Sequence, residues 1–153
     1  MGFALRVIIA VFAIVLIRPV AASADFLSDD DVHTAKAAFK AATQDRWRKG
    51  ARLAAKAENP LLLKTYKWFE YSRLGGAKSF AEIAAFIAEN PTWPDQNLLA
   101  RRAEEAMKDS LAPETALAWF QDHPPLSTSG RIQHIRALLA LGRKDEARAE
   151  IRD

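Results

Sequence analysis

Apolar residues recur along most of the chain at three- and four-residue intervals, the spacing of helices buried on one face. Alanine and leucine dominate these runs, β-branched residues are few within them, and no N-G or D-G pair marks a hairpin between strands. The pattern predicts an all-α chain of about eight helices and no strands. The first begins at Ser28, whose hydroxyl can cap free amides while Asp29, Asp30 and Asp31 face the positive end of the helix dipole. A second is expected from Thr43 to Ala57, stopped by Asn59-Pro60, because the residue before a proline is pushed out of helical geometry.

The third, Leu61 to Leu74, carries Leu62, Tyr66 and Phe69 on one stripe, with Leu61, Trp68 and Tyr71 near the opposite face. A helix apolar on two sides is sandwiched between neighbours. Gly75-Gly76 ends it, and Ser79-Phe80-Ala81-Glu82 is a capping box opening a fourth that turns Phe80, Ile83 and Ile87 inward. Asn90-Pro91 stops that helix. Pro94 is expected at the first position of a fifth, with Leu98, Leu99, Ala103, Ala106 and Met107 on it, and Pro113-Glu114 opens a sixth through Trp119 and Phe120. After His123-Pro124-Pro125, Thr128 is expected to cap a seventh holding Ile132, Ile135, Leu138 and Leu139. Gly142 then turns the chain into a last helix with Ala147 and Ile151.

The stops repeat. Ala57-Glu58-Asn59-Pro60 recurs as Ala88-Glu89-Asn90-Pro91 at an offset of 31, and Ala85 to Pro91 overlays Ala118 to Pro124 at an offset of 33. A period in the low thirties belongs to tetratricopeptide-like repeats, in which one helix pair cannot bury its own apolar face and stacks on the next. An α-superhelix, or solenoid of such pairs, is the expected architecture; a compact irregular bundle is the alternative. Each pair is read as closed by its proline, and Leu138 to Ala147 as a turn inside a pair. The chain stops at Glu150-Ile151-Arg152-Asp153 without a polar capping helix, so the array is expected to be incomplete at its C-terminus.

The N-terminus changes the compartment. Arg6 precedes the apolar run Val7 to Ile17, and Pro19 leads to Ala22-Ser23-Ala24, an A-x-A cleavage pattern. Residues 1–24 are read as a secretory signal cut after Ala24, leaving 25–153 as one helical domain. The run is about half the length that spans a bilayer, so no permanent membrane anchor is expected. Of 153 residues, 22 are Lys or Arg and 19 Asp or Glu, for an isoelectric point near 9.3. Loss of Arg6 and Arg18 with the signal leaves 20 against 19, a net charge of +1, and removes the case for nucleic acid as partner. With no cysteine, a disulfide framework, a thiol nucleophile and a Cys-type zinc site are excluded. Export without cysteine fits a bacterial periplasm.

Candidate chemistry is sparse. His33, His123 and His134 show no metal-ligand spacing, and the adjacent carboxylates Asp29, Asp30 and Asp31 diverge by about 100° each on a helix. Ser72, Ser79, Ser110, Ser127 and Ser129 sit at turns or caps, with no G-x-S-x-G elbow and no phosphate-cradling loop. Glu104-Glu105 reads as a solvated face, with Arg101 paired to Glu105 along the helix, although Arg101 and Arg102 could instead meet a carboxylate or sugar-peptide ligand. Trp47, Trp68, Trp93 and Trp119 could stack on sugar rings; Trp68 and Trp119 fall in apolar repeats, and Trp93 is the one expected to be exposed. No catalytic, cofactor-binding or metal residue is assigned, and no cofactor is expected.

Taken together, Leu61 to Leu63 through Tyr66, Trp68 and Tyr71, Phe80 to Ile87 leading into Asn90-Pro91-Thr92-Trp93-Pro94, Arg101 to Glu104, Leu117 to Phe120 and Ala137 to Arg143 resemble the N-terminal superhelical region of soluble lytic murein transglycosylases. The resemblance runs from about Ala37 to the end. It implies a periplasmic peptidoglycan lytic transglycosylase as parent, in which a glutamate of a C-terminal lysozyme-like domain protonates the glycosidic oxygen and the product is a 1,6-anhydromuramoyl end. The family's Glu-Ser dipeptide and G-L-M-Q stretch are absent here, so this chain alone is expected to be a non-catalytic scaffold that holds glycan strands or cell-wall proteins. The rival expectation is a free-standing tetratricopeptide-like periplasmic adaptor that binds a protein or peptide.

Overall fold

The computed structural model describes residues 27–75 and 78–152. The apolar run at 7–17, the cleavage pattern at 22–24 and Gly76 lie outside the described residues. Among the described residues the chain is all-helical, with eight helices: α1 (Asp29–Thr43), α2 (Trp47–Ala54), α3 (Pro60–Tyr71), α4 (Phe80–Glu89), α5 (Gln96–Glu105), α6 (Pro113–Asp122), α7 (Thr128–Ala140) and α8 (Lys144–Arg152). They form a solenoid-like series of helix hairpins. α1 packs along α2, α4 along α5 and α6 along α7, while α5 and α7 join successive hairpins.

Two of the proline stops fall differently from the sequence reading. Asn90-Pro91 and His123-Pro124 make the turns inside the α4–α5 and α6–α7 pairs rather than closing a pair, whereas Asn59-Pro60 follows the α1–α2 pair as read. α7 and α8 also pack together, across Gly142 at φ 75°.

Several boundaries move for local reasons. α1 runs on through Thr43, and the chain turns at Asp45, which takes a left-handed φ of 58°; α2 therefore starts at Trp47, not Thr43. Asp95 does the same at φ 61°, so Pro94 lies outside α5. α3 ends at Tyr71, short of Leu74. The cap of α7 is Ser127, which accepts from the Gly130 amide, and Thr128 is the first helical residue. Ser28 caps α1 through the Asp31 amide, and the Ser79–Glu82 box closes in both directions as expected.

Two apolar clusters hold the array. The smaller joins Ala38 and Ala42 of α1, Ala54 of α2, and Leu62 and Tyr66 of α3. The larger runs from Tyr71 through α4–α7 to Ala147, with Phe80, Ile83, Phe86, Leu99, Leu117, Phe120 and Leu138 as its bulk. α3 serves both clusters, as its two-sided pattern requires: Leu62 and Tyr66 enter the first, Tyr71 and Trp68 the second. Ile132, Leu139 and Ile151 on α7 and α8 are 46%, 49% and 64% exposed.

Candidate functional site

The hairpins α4–α5 and α6–α7 meet through α5 and α7, which leaves an open trough of about 640 Å³ between α4 and α6. Its floor is made of short side chains, Ala84, Ala85 and Ala88 from α4 and Ala118 from α6, with Ile87 and Pro91 at one side. Ala85 and Ala118 are the residues paired by the 33-residue offset, so the repeat places an alanine on each wall. Gln96, Asp122 and His123 supply polar groups along the rim. The His123 ring lies flat on Trp119, 3.8 Å between centroids and 5° between planes, and its Nδ1 is 3.2 Å from the Trp119 carbonyl. Trp119 is also held edge-on by Phe80, and its indole N–H has no hydrogen-bond partner among the described residues.

The other tryptophans are fixed by packing. Trp68 donates to the Pro94 carbonyl at 3.2 Å, and Trp47 donates to Asp45 at 2.7 Å with the Arg73 guanidinium 3.8 Å above its ring. Trp93, expected to be exposed, instead packs against Phe86 in the larger cluster, and Lys64 sits 5.2 Å over it. Its turn is folded back by Gln96, which donates to the carbonyls of Asn90 and Trp93.

Glu104, read as part of a solvated face, is the largest correction. Glu104 is fully buried, accepting from the Leu126 amide at 2.8 Å and the Ser127 hydroxyl at 2.5 Å. A Cβ on Gly130 would collide with this carboxylate, so glycine is required there. Asp31 is buried as well and accepts the amides of Glu58 and Asn59 at 2.8 and 3.1 Å. Each carboxylate thus ties down the loop before the next helix, α7 and α3 respectively. A helical wheel of α5 contains the signal for Glu104: it shares an arc with Ala100, Ala103 and Met107. Glu105 pairs with Arg102, not Arg101, at 2.8 Å, and Arg102 also reaches the Ser72 carbonyl. Arg101 is left exposed.

A cavity of about 50 Å³ lies where α3, α4 and α5 meet, lined by Glu70, Tyr71, Lys78 and Arg102 among others. Burial pushes the Glu70 carboxyl above its ordinary range, only partly offset by Lys78 at 3.7 Å, and pushes the Tyr71 phenol up to about 12. The space is the size of a water site, not of a substrate. His134 contacts Phe120 and lies 3.6 Å from Glu150, and His33 is exposed on α1. No group of three His, Asp or Glu side chains among the described residues could hold a metal ion. No helix there is long and apolar enough to cross a membrane. The trough, at about 640 Å³, has room for a segment of polymer and carries polar groups along its rim. No protein-family model, no curated protein and no solved structure matches the chain.

Proposed function

We propose that the chain is the scaffold part of a periplasmic peptidoglycan lytic transglycosylase, exported by its N-terminal signal, and that it holds a glycan strand in the α4–α6 trough. Cleavage to 1,6-anhydromuramoyl ends belongs, in this reading, to the lysozyme-like domain of the parent. The observation that carries it is the trough itself, whose two kinds of lining match the two sides of a sugar ring. Alanine methyls and Pro91 suit the C–H face, and Gln96, Asp122 and His123 suit the hydroxyls. The resemblance carried by Phe80 to Pro94 and Leu117 to Phe120 adds to this, because those segments build both walls.

Ala85 and Ala118 are exposed, so Ala85→Leu with Ala118→Leu fills the trough without touching the core. Fluorescence anisotropy with labelled glycan strands should show saturable binding that falls about tenfold, some 1.4 kcal/mol, in the double variant, with the thermal midpoint unchanged. Absence of glycan binding, or binding indifferent to the filled trough, would overturn the proposal. The adaptor reading uses the same apolar floor for a peptide side chain; peptide binding at the trough with none for glycan would establish it instead.

A further inference from the structure

Charge is divided unevenly along the chain. Residues 27–69 hold nine Lys and Arg against Asp29, Asp30 and Asp31 at the start of α1 and Asp45 and Glu58, a net charge of +4, whereas residues 70–152 hold eleven against twelve, a net charge of −1. Most cations of the second stretch sit in ion pairs. None of the nine in the first does, among the described residues. Asp45, the acid nearest them in sequence, is already engaged by Trp47 and Arg73.

The densest part is α2. Arg48, Lys49 and Arg52 lie on its solvent side, flanked by exposed Arg46 before the helix and Lys56 after it. This arrangement opposes the helix that carries it. No acid stands in its first turn, where the dipole disfavours cations, and Arg48 and Arg52 repel at i,i+4 spacing. Only an anionic partner turns that repulsion into attraction.

We propose that this face docks reversibly on the anionic phosphate headgroups of a phospholipid surface. Charge complementarity names the partner's sign, and the geometry selects its kind. A recess of about 520 Å³ beside α2 is lined by Arg46, Trp47, Arg48, Lys49 and Arg73, with one carboxylate, Asp45, already held by Trp47 and Arg73, and guanidinium forks there match phosphate oxygens. The Trp47 ring offers no free stacking platform, since Arg73 covers it and Phe69 and Tyr66 crowd it. Single-stranded nucleic acid is gripped by stacking its bases on aromatic faces, whereas a headgroup layer asks only for charge density and donors. The docking goes beyond the glycan reading and does not depend on it.

Sedimentation of the full chain with vesicles at low salt tests this, using phosphatidylcholine alone and phosphatidylcholine mixed with an equal part of phosphatidylglycerol. The difference between the two partition coefficients is the readout, and it is compared between wild type and variants that share the same residues 1–26. Each surface cation accounts for about fivefold in that difference, the equivalent of about 1 kcal/mol. The set Arg48→Gln, Lys49→Gln, Arg52→Gln, Lys56→Gln should therefore lose at least about a hundredfold, while keeping helical circular dichroism. A control of equal charge change, Arg101→Gln, Lys108→Gln, Lys144→Gln, Arg152→Gln, should lose only a few-fold. Equal partition of the wild type to both vesicles, or equal loss in the two variant sets, would overturn the proposal. Tighter binding to duplex DNA than to the anionic vesicles at matched salt would overturn it in favour of nucleic acid.

Discussion

The N-terminal unit of α1, α2 and the start of α3 and the array from α4 onward solve the same packing problem with different materials. The first has a core of three alanines, one leucine and one tyrosine; the second is filled by phenylalanine, leucine and isoleucine from four helices. Burying an alanine methyl contributes about 0.8 kcal/mol, against about 1.5–3 for a Leu, Ile or Phe side chain, so the N-terminal unit draws far less from apolar area. Its geometry is instead set by directional contacts. Tyr66 donates to the Trp47 carbonyl at 3.1 Å, Asp31 clamps two amides, and Phe39, Tyr66, Trp47 and Phe69 form a ring of tilted contacts. Where apolar area is scarce, polar and aromatic contacts fix orientation, and a surface not committed to internal ion pairs is left for a partner.

The two buried carboxylates test this division most severely. Glu104→Ala removes a fully buried acceptor from the Leu126 amide and the Ser127 hydroxyl, at a cost of about 4 kcal/mol. Asp31→Ala removes the same kind of clamp nearer the edge of the structure, where water can reach the freed amides, at a cost of about 2 kcal/mol. Urea unfolding of both variants measures the difference. Equal losses would mean that the two units share one cooperative core through α3, and the contrast drawn from their contents would break.

A smaller effect isolates the N-terminal unit. A Cβ on Gly50 would strike the Tyr66 hydroxyl and lie 2.8 Å from the Ala38 carbonyl, because α1, α2 and α3 approach closely there. Gly50→Ala should cost about 2–3 kcal/mol, and Tyr66→Phe about 1 kcal/mol through its lost hydrogen bond. Combined, they should cost about 1 kcal/mol less than their sum, since Tyr66→Phe removes the nearest atom that the new methyl strikes, although the ring carbon behind it stays 2.5 Å away. Strict additivity in a thermal or urea cycle would show that the Ala38 backbone, not the tyrosine, sets the gap.

Helix number, the sandwiched α3 and the positions of the proline turns were legible in the sequence, because period, caps and Asn-Pro pairs are local signals. The starts of α2 and α5 were not. Asp45 and Asp95 adopt left-handed geometry that a charge- and proline-based reading assigns to helix starts. The phase of the pairs was misread for a related reason: a proline marks a turn but does not say which two helices pack across it. Trp93 and Glu104 show the limit most clearly. Trp93 packs on Phe86, seven residues back across a turn, and although the α5 wheel places Glu104 on the buried arc, its partners Leu126 and Ser127 lie more than 20 residues away, where no local pattern reaches. The trough was visible only as alanines repeated at an offset of 33, whose meaning depends on α4 and α6 standing apart.

Acid titration sharpens the comparison at the border between the units. Glu70 of α3 has its pKa raised by burial, so between the ordinary glutamate range and that raised value the folded chain keeps a proton the unfolded chain has lost. Stability therefore falls as pH rises through that window and stays reduced above it. Glu82 of α4 has its pKa lowered by the Ser79 amide, so its contribution is present above the ordinary range and is lost as pH falls through the lowered value. At neutral pH, Glu82→Gln should cost about 0.5–1 kcal/mol through the weakened capping box. Glu70→Gln should be neutral or stabilising by less than about 1 kcal/mol, the loss of Lys78 pairing offsetting part of the gain. Urea midpoints at acidic and neutral pH separate them, and destabilisation by Glu70→Gln at neutral pH would show that Lys78 outweighs burial.

The smallest expected effect discriminates most sharply, because one substitution should change sign between the units. Arg52→Glu in α2 replaces the repulsion from Arg48 with an i,i+4 attraction and puts an acid four residues before Lys56. In a helix otherwise free of acids, it should stabilise by about 0.3–0.5 kcal/mol. Arg101→Glu in α5 places an acid three and four residues before Glu104 and Glu105, and should destabilise by a similar few tenths of a kcal/mol. Both effects should shrink when salt screens surface charge. Arg52→Glu that destabilises would show that the cations of α2 are held by contacts within the fold, and the face would then have no charge left over to offer a partner.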